Sequence, residues 1–552
     1  MADQNSQINP ARRWLPRFDA WSVGAAIIAM LVLMPIASVL WIALHPSENI
    51  WPHLLSTTLP RYFGNTVLLA GCVGLIAALV GSVTAWMVTM YRFPGVTVLQ
   101  WLLLLPLAIP AYVGAYALVD FLEYAGPVQT WLREVFGWTT SRDYWFPEVR
   151  SLGAAVIVLS AALYPYVYIL ARATFREQPG TSDEVARSLG AGPIGRFWRV
   201  ALPLARPAIA AGMAIVMMET VNDFGTVDYF AVQTLTTGIF NVWLESNNAG
   251  GAAQIACVIL VLVIFLVTTE KISRRRIKFF NLGKSTRPVA KTHLSGLAGV
   301  GATLACAFPF CIGFILPAAV MADHAFANMD QWGDAGLIRA LSNTLIICSL
   351  AAVITVSAGI FLVYGVRLSG QSSPQLLLPV TTIGYAAPGA VLAVGILIPL
   401  AYLDHRLADL LDSIFGGRAP LILTGSAFAL VLAYCVRFFA IAQGAADAAM
   451  GRIPPNLALA ARSLGRSRRQ VLAQVYFPLI RGSIGSALLL VFVDCVKELP
   501  ATMLLRPFNY ETLATRVHDQ ASLENIGGAS PGALMISLVG LGAVLLLARA
   551  NR

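Results

Sequence analysis

Ala186-Arg-Ser-Leu-Gly190 recurs, 275 residues later, as Ala461-Arg-Ser-Leu-Gly465. Outward from this pentapeptide the register holds: Val200 lies over Val475, Pro203 over Pro478, Leu204 over Leu479 and Arg206 over Arg481. Further on, Glu219 matches Asp494, Asp223 matches Glu498 and Thr237 matches Thr512. At an offset of 278, Asn65-Thr66 lies over Asn343-Thr344. So many matches in register mark the chain as a duplication.

What is duplicated is apolar. Hydrophobic residues make up 57% of the chain and charged residues 12%, about half the charged share of a typical soluble protein. Disorder, collagen and coiled coil are excluded. A bilayer crossing needs about 20 largely apolar residues. Trp21–Leu44, Phe63–Met90, Pro94–Val119, Ser151–Ala171 and Gly250–Thr269 carry no Asp, Glu, Lys or Arg, and neither do Leu294–Ala322, Ala340–Val366, Pro374–Leu403, Ala419–Val436 and Gly527–Ala548. Two more stretches, from Pro207 and Gly482, run into acids before completing a crossing and count as spans because loop parity requires them. The first run is too long for a signal-peptide core and is read as uncleaved. The expectation is an all-α polytopic membrane protein of about twelve transmembrane helices in two parallel six-helix repeats. Residues 1–270 form the first half, 271–293 a basic cytoplasmic linker and 294–552 the second half. Parallel repeats predict a pseudo-two-fold axis along the membrane normal, with a pathway between the halves.

Charge sets the orientation. Lys271–His293 holds eight basic residues and no acid, the loops at 172–206 and 437–481 hold six and seven, and the N-terminal tail carries Arg12, Arg13 and Arg17. The segments 323–339 (Asp323, Asp330, Asp334) and 404–418 (Asp404, Asp409, Asp412) are acidic. Basic loops face the cytoplasm, which places both termini inside. The net charge of +10 is then topological, and no nucleic-acid partner is expected. The seven Cys lie in apolar runs without a CxxC, so no disulfide scaffold is read. The six His show no metal-enzyme spacing. Trp131, Trp138 and Trp145 read as an interfacial aromatic belt. Pro106, Pro110, Pro379 and Pro388 read as kinks bordering a path.

The repeated pentapeptide sits in the long cytoplasmic loop between the fourth and fifth spans of each half. Glu184, Ala186 and Arg187 on a short helix before Gly190 suggest a helix–turn–helix elbow, with Gly at the C′ position where positive φ is easy. Pro203 is expected to open the next span, where a missing N–H matters least. Such an elbow could dock on a soluble partner. The segment Glu184-x-Ala186-x₃-Gly190-x₉-Val200-x-Leu202-Pro203 resembles the EAA loop of binding-protein-dependent ABC importer permeases. The second copy fits it with Ala460, Ala461, Gly465, Val475 and Pro478, alongside Arg462, but has Leu459 where Glu is usual and Phe477 where Leu is usual. The resemblance implies a type I ABC importer permease-like fold, coupling helices around Glu184–Gly190 and Ala461–Gly465, and no catalytic residue in this chain. It also implies two copies of a cytoplasmic ABC ATPase, a periplasmic or lipid-anchored substrate-binding protein, membrane lipid around the spans, and residence in a bacterial inner membrane. No cofactor is expected here; ATP would be used by the partner. Gly283-Lys284-Ser285-Thr286 is not a P-loop, because Lys278 stands where the motif needs Gly.

The stretches Lys497–Arg516 and Asn222–Ala231 further resemble the ferric iron permeases of this family. Permeases for another small substrate such as thiamine share the fused architecture, and an ion-gradient-driven secondary transporter shares the parallel halves. Glu219 and Asp223, at i and i+4, are expected on one helix face, facing Asp494 and Glu498 from the other half. Four carboxylates there form a candidate acidic mouth for a hard cation, which prefers oxygen ligands. The alternative is structural, with Lys497 pairing with Asp494 at i, i+3. Whether a metal site exists is left open.

Overall fold

The computed structural model describes residues 20–178, 180–275, 291–369, 378, 381, 387–416 and 421–550. Arg12, Arg13, Arg17, most of the basic linker, Gly283–Thr286 and Pro379 lie outside the described residues. Among the described residues eleven helices are long and apolar enough to cross a membrane, and a helix pair bent by 94° supplies a twelfth. In the first half these are span 1 (Ala20–Leu44), span 2 (Leu59–Met90), span 3 (Val96–Ala108 with Ala111–Phe136), span 4 (Leu152–Glu177), span 5 (Pro193–Asn222) and span 6 (Ala249–Arg275). In the second they are span 7 (Gly296–Ala327), span 8 (Ala335–Ser369), span 9 (Gly389–Phe415), span 10 (Phe428–Gly451), span 11 (Arg468–Lys497) and span 12 (Ile526–Ala550). The bend in span 3 follows from Pro106, in a tight turn, and Pro110, at the start of its second segment; proline removes an N–H and breaks the ladder.

Helices meet where glycine lets backbones approach. A side chain at Gly81 of span 2 would strike Val167 and the Tyr164 carbonyl of span 4, and one at Gly359 of span 8 would strike Ala442 of span 10. The first span of each half also packs against the other half. Gly395 of span 9 abuts the Pro35 backbone in span 1, and Trp21 stacks on Phe361 of span 8 at 4.7 Å. Reciprocally, Gly313 of span 7 abuts Ala161 and Pro106 of the first half. The exchange interlocks the halves. A two-residue parallel strand pair, Tyr91–Arg92 with Thr292–His293, also ties the entry of the second half to the C-terminal end of span 2.

Three expectations are corrected. Asp404, Asp409 and Asp412 are not in a loop, because span 9 continues to Phe415. Asp404 accepts the N–H groups of Ile422, Leu423 and Thr424 and folds the following turn onto its helix. Arg437 is not in a cytoplasmic loop either; span 10 runs through it to Gly451. Finally, Pro203 and Pro478 do not open their spans. Spans 5 and 11 begin ten residues earlier, and each proline follows a π-helical turn, Phe197–Ala201 or Leu472–Tyr476. A wide turn of this kind absorbs the hydrogen bond that proline cannot donate.

Candidate functional site

Gly180–Ser188 and Pro455–Ser463 are the two short elbow helices. Gly190 has φ +78° and Gly465 φ +82°. The turns close alike: Gly190 N–H donates to Arg187 and Ala191 N–H to Ala186, while Gly465 N–H donates to Arg462 and Arg466 N–H to Ala461. Both are left-handed glycine caps with two bonds returning into the last turn. Glu184 and Arg187 are exposed, Ala186 is buried, and Leu189 and Leu464 at the tips are 81% and 83% exposed. A bulky apolar side chain held in solvent at the same place in both repeats is a surface waiting for a partner. Arg187 also donates to the Thr292 hydroxyl at 2.8 Å, joining the first elbow to the strand pair.

Between the halves lies a cavity of about 180 Å³. It is lined by the bend of span 3, by Ala162 and Tyr166 of span 4, by Arg437 of span 10, and by the outer ends of spans 5 and 11. Glu219, Asp223, Asp494 and Glu498 all reach it. They do not share two helix faces, however. Span 5 ends at Asn222 and span 11 at Lys497, so Asp223 and Glu498 stand just past the helix ends in extended backbone. Each turns its carboxylate onto the start of the next short helix, Gly225–Tyr229 or Pro500–Leu505. Asp223 accepts from Thr226 N–H at 3.0 Å, Val227 N–H at 3.1 Å and the Thr226 hydroxyl at 3.0 Å. Glu498 accepts from Ala501 N–H and Thr502 N–H, both at 3.0 Å, and from the Thr502 hydroxyl at 2.8 Å. The glutamate is one methylene longer, and its threonine lies one residue further on. Orphan N–H groups at a helix start are satisfied in this way. The i, i+4 reading failed because it assumed an unbroken helix.

The mouth is not purely acidic. Arg437 Nη1 lies 3.2 Å from Glu498 Oε1, with the carboxylate fully buried, and Gly389 leaves the space these two side chains fill. Lys497 Nζ is 3.6 Å from Asp494 Oδ1 and donates to the Leu107 carbonyl at 3.3 Å. The pairing weighed as the structural alternative is thus present in the geometry. Tyr112 Oη and Asn222 Oδ1, on buried residues lining the cavity, have no hydrogen-bond partner among the described residues. Among the described residues no group of three His, Cys, Asp or Glu is placed to hold a metal ion. Arg437, Tyr112 and Asn222 were missed by sequence reasoning. Arg437 follows an uncharged run directly, and a basic residue at that place reads as a loop.

The outer side repeats as well, with one change of register. Thr234 caps Leu235–Phe240 in a reciprocal box with Thr237, and Thr512 caps Leu513–Ser522 in a box with Thr515. Thr237 therefore corresponds to Thr515, not Thr512. Leu235 N–H donates to Thr66 and Leu513 N–H to Thr344, while Asn65 and Asn343 bond the Gln233 and Glu511 carbonyls. The offset of 278 covers all these pairs.

Residues 70–279 match the family model described as "Binding-protein-dependent transport system inner membrane component". The first half of the chain is thus similar to the permeases of that family. Across nearly its full length the chain resembles the Fe(3+)-transport system permease protein FbpB 2 of Haemophilus influenzae, 26% identical over 88% of this chain and 89% of the relative. It is 24% identical to the ferric transport system permease protein FbpB of Actinobacillus pleuropneumoniae, over 81% of this chain and 64% of the relative. The sulfate transport system permease protein CysT of Escherichia coli is 28% identical over 47% of this chain and 94% of its own. A half-length relative covered almost completely is what a duplicated permease should match.

Proposed function

We propose that this chain is the transmembrane subunit of an ATP-driven importer of ferric iron in a bacterial inner membrane, with both termini cytoplasmic. The observation that carries the reading is the pair of matching glycine-capped elbows, each presenting an exposed leucine. Paired elbows suit two copies of a cytoplasmic ABC ATPase, and ATP hydrolysis belongs to those subunits, with no cofactor held by this chain. A periplasmic or lipid-anchored binding protein would deliver cargo above the cavity at the outer ends of spans 5 and 11. Iron as cargo rests on the near full-length similarity to permeases named for ferric transport.

A second reading, an oxyanion importer, is favoured by Arg437 and Lys497 in the cavity and by the half-length relatives named for sulfate. Proteoliposomes holding this chain, its ATPase and its binding protein distinguish the two. ATP-dependent uptake of ⁵⁵Fe(III) without ³⁵S-sulfate uptake is expected. Sulfate uptake alone, or ATP hydrolysis by the purified chain, would overturn the ferric reading.

A further inference from the structure

We propose that the cavity takes its cargo as a hard metal ion together with a bound small oxyanion, in a fixed orientation with the oxyanion toward the second half. The inference rests on the ferric reading above and deepens it.

The carboxylates alone do not make a bare-cation site. Asp223 and Glu498 already accept three hydrogen bonds each from the helix starts they cap. Among the described residues no three candidate ligands converge. A hard trivalent ion needs several oxygen ligands, so an ion entering this cavity must bring part of its own shell. At about 180 Å³ the space is about ten times what one water requires, enough for an ion with its ligand.

The basic groups give the ligand its sign. Arg437 and Lys497 line the same cavity, each beside an acid, Glu498 or Asp494, and offset about half of the acidic charge there. A planar guanidinium is well matched to carboxylate or phosphate oxygens. On residues lining the cavity, the Tyr112 hydroxyl, a donor, and Asn222 Oδ1, an acceptor, lack hydrogen-bond partners among the described residues. Buried polar atoms are nearly always paired, and both of these belong to residues that line the cavity.

The orientation comes from broken symmetry. At the offset of 275, the acids occur in both halves as Glu219 with Asp494 and Asp223 with Glu498. The bases do not: Arg437 and Lys497 correspond to Ala162 and Asn222, which also line the cavity. The acidic groups thus surround the space from both sides while the bases come only from the second half. A cargo with a cationic and an anionic end fits that pattern.

The test uses the full chain in lipid nanodiscs, without binding protein, and two doubly labelled probes: ⁵⁵Fe(III) with ¹⁴C-citrate, and ⁵⁵Fe(III) with ³²P-pyrophosphate. Expected is joint retention of both labels from at least one probe. Retention should fall at least tenfold in the Arg437→Gln/Lys497→Gln protein and several-fold in Tyr112→Phe, which removes one hydroxyl and leaves the ring and the fold. Iron retained without either anion would overturn the inference and leave the ferric reading standing. Anion retained equally with and without iron would overturn the inference. Retention of neither label, or joint retention unchanged in Tyr112→Phe and in the double variant, overturns the inference alone, since ⁵⁵Fe uptake in proteoliposomes judges the ferric reading separately.

Discussion

The phenol of Tyr116, in span 3, and the imidazole of His518, in the short helix Leu513–Ser522, meet at 2.8 Å across the boundary between the halves. The other ring nitrogen of His518 is 3.7 Å from Asp228 Oδ2, and Phe224 lies beside the ring. Burial holds the imidazole below its ordinary pKa; Asp228 and Asp519 oppose that shift and Arg506 adds to it. Burial likewise raises the Asp228 carboxyl.

A pH dependence follows. A histidine whose folded pKa is depressed stays neutral while the unfolded chain takes up a proton, so stability is lost as pH falls below the ordinary value of about 6.5. The raised Asp228 acts in the opposite sense, losing stability as pH climbs past the ordinary carboxylate value of about 4. The melting temperature of the detergent-solubilised protein should therefore drop between about pH 7 and pH 5.5, and the His518→Gln protein should lose most of that slope. An equal slope in the variant would assign the titration to another group.

The caps at the ends of spans 5 and 11 predict a compensated swap. Glu498→Asp shortens the carboxylate and forfeits the hydroxyl of Thr502, a hydrogen bond to a charged group worth about 1.5–3 kcal/mol. Abundance in the membrane and iron uptake should both fall. Adding Ala501→Thr, which puts a hydroxyl where Thr226 stands relative to Asp223, should restore most of the loss. No rescue would mean that the match between chain length and threonine position is incidental.

The elbow glycines predict graded uncoupling. Nothing stands within 4 Å of where a β-carbon would sit at Gly190 or Gly465, so alanine brings backbone strain alone, about 1 kcal/mol. Transport per ATP hydrolysed should drop modestly in Gly190→Ala. It should drop severely in Gly190→Pro, which also removes the N–H that bonds Arg187. Equal effects of the two would locate the defect elsewhere.

Asp494 predicts a separation of stability from flux. Its pair with Lys497 is partly exposed, at 37% and 24% of the two side chains, and Lys497 keeps the Leu107 carbonyl if the acid is lost. Pairs this open contribute at most about 1 kcal/mol. Asp494→Asn should accumulate normally while passing less iron. Poor accumulation rescued by Lys497→Met would reduce the pair to a structural clasp.

The spans and the elbows could be read directly because each rests on a local rule. Twenty uncharged residues need a bilayer, and a glycine after Ala186-Arg-Ser-Leu needs positive φ. The cavity could not be read that way, because it depends on where helices stop. Pro500 was the available signal: proline is favoured in the first turn of a helix and breaks one from within, which places the break close to Glu498. Phe224-Gly225 gives no comparable warning for Asp223. Arg437 was hidden by the positive-inside rule itself, which takes an arginine after an apolar run as the end of a span. The Thr237–Thr512 match erred because the second half is three residues longer between its cap acid and its outer box, which no identity count over so short a segment detects.

The one-sided bases also bear on why two such similar halves share a single polypeptide. Two copies of the first half would close around Ala162 and Asn222 with no counter-charge for an anion. Two copies of the second would crowd two arginines and two lysines into one small space. Synthesis as one chain fixes the stoichiometry at one of each, and the strand pair between Tyr91–Arg92 and Thr292–His293 favours the partner already attached. Separating the halves into two co-expressed chains would let assembly become statistical, and mispaired complexes would be deprived of the polarity that the fused cavity carries.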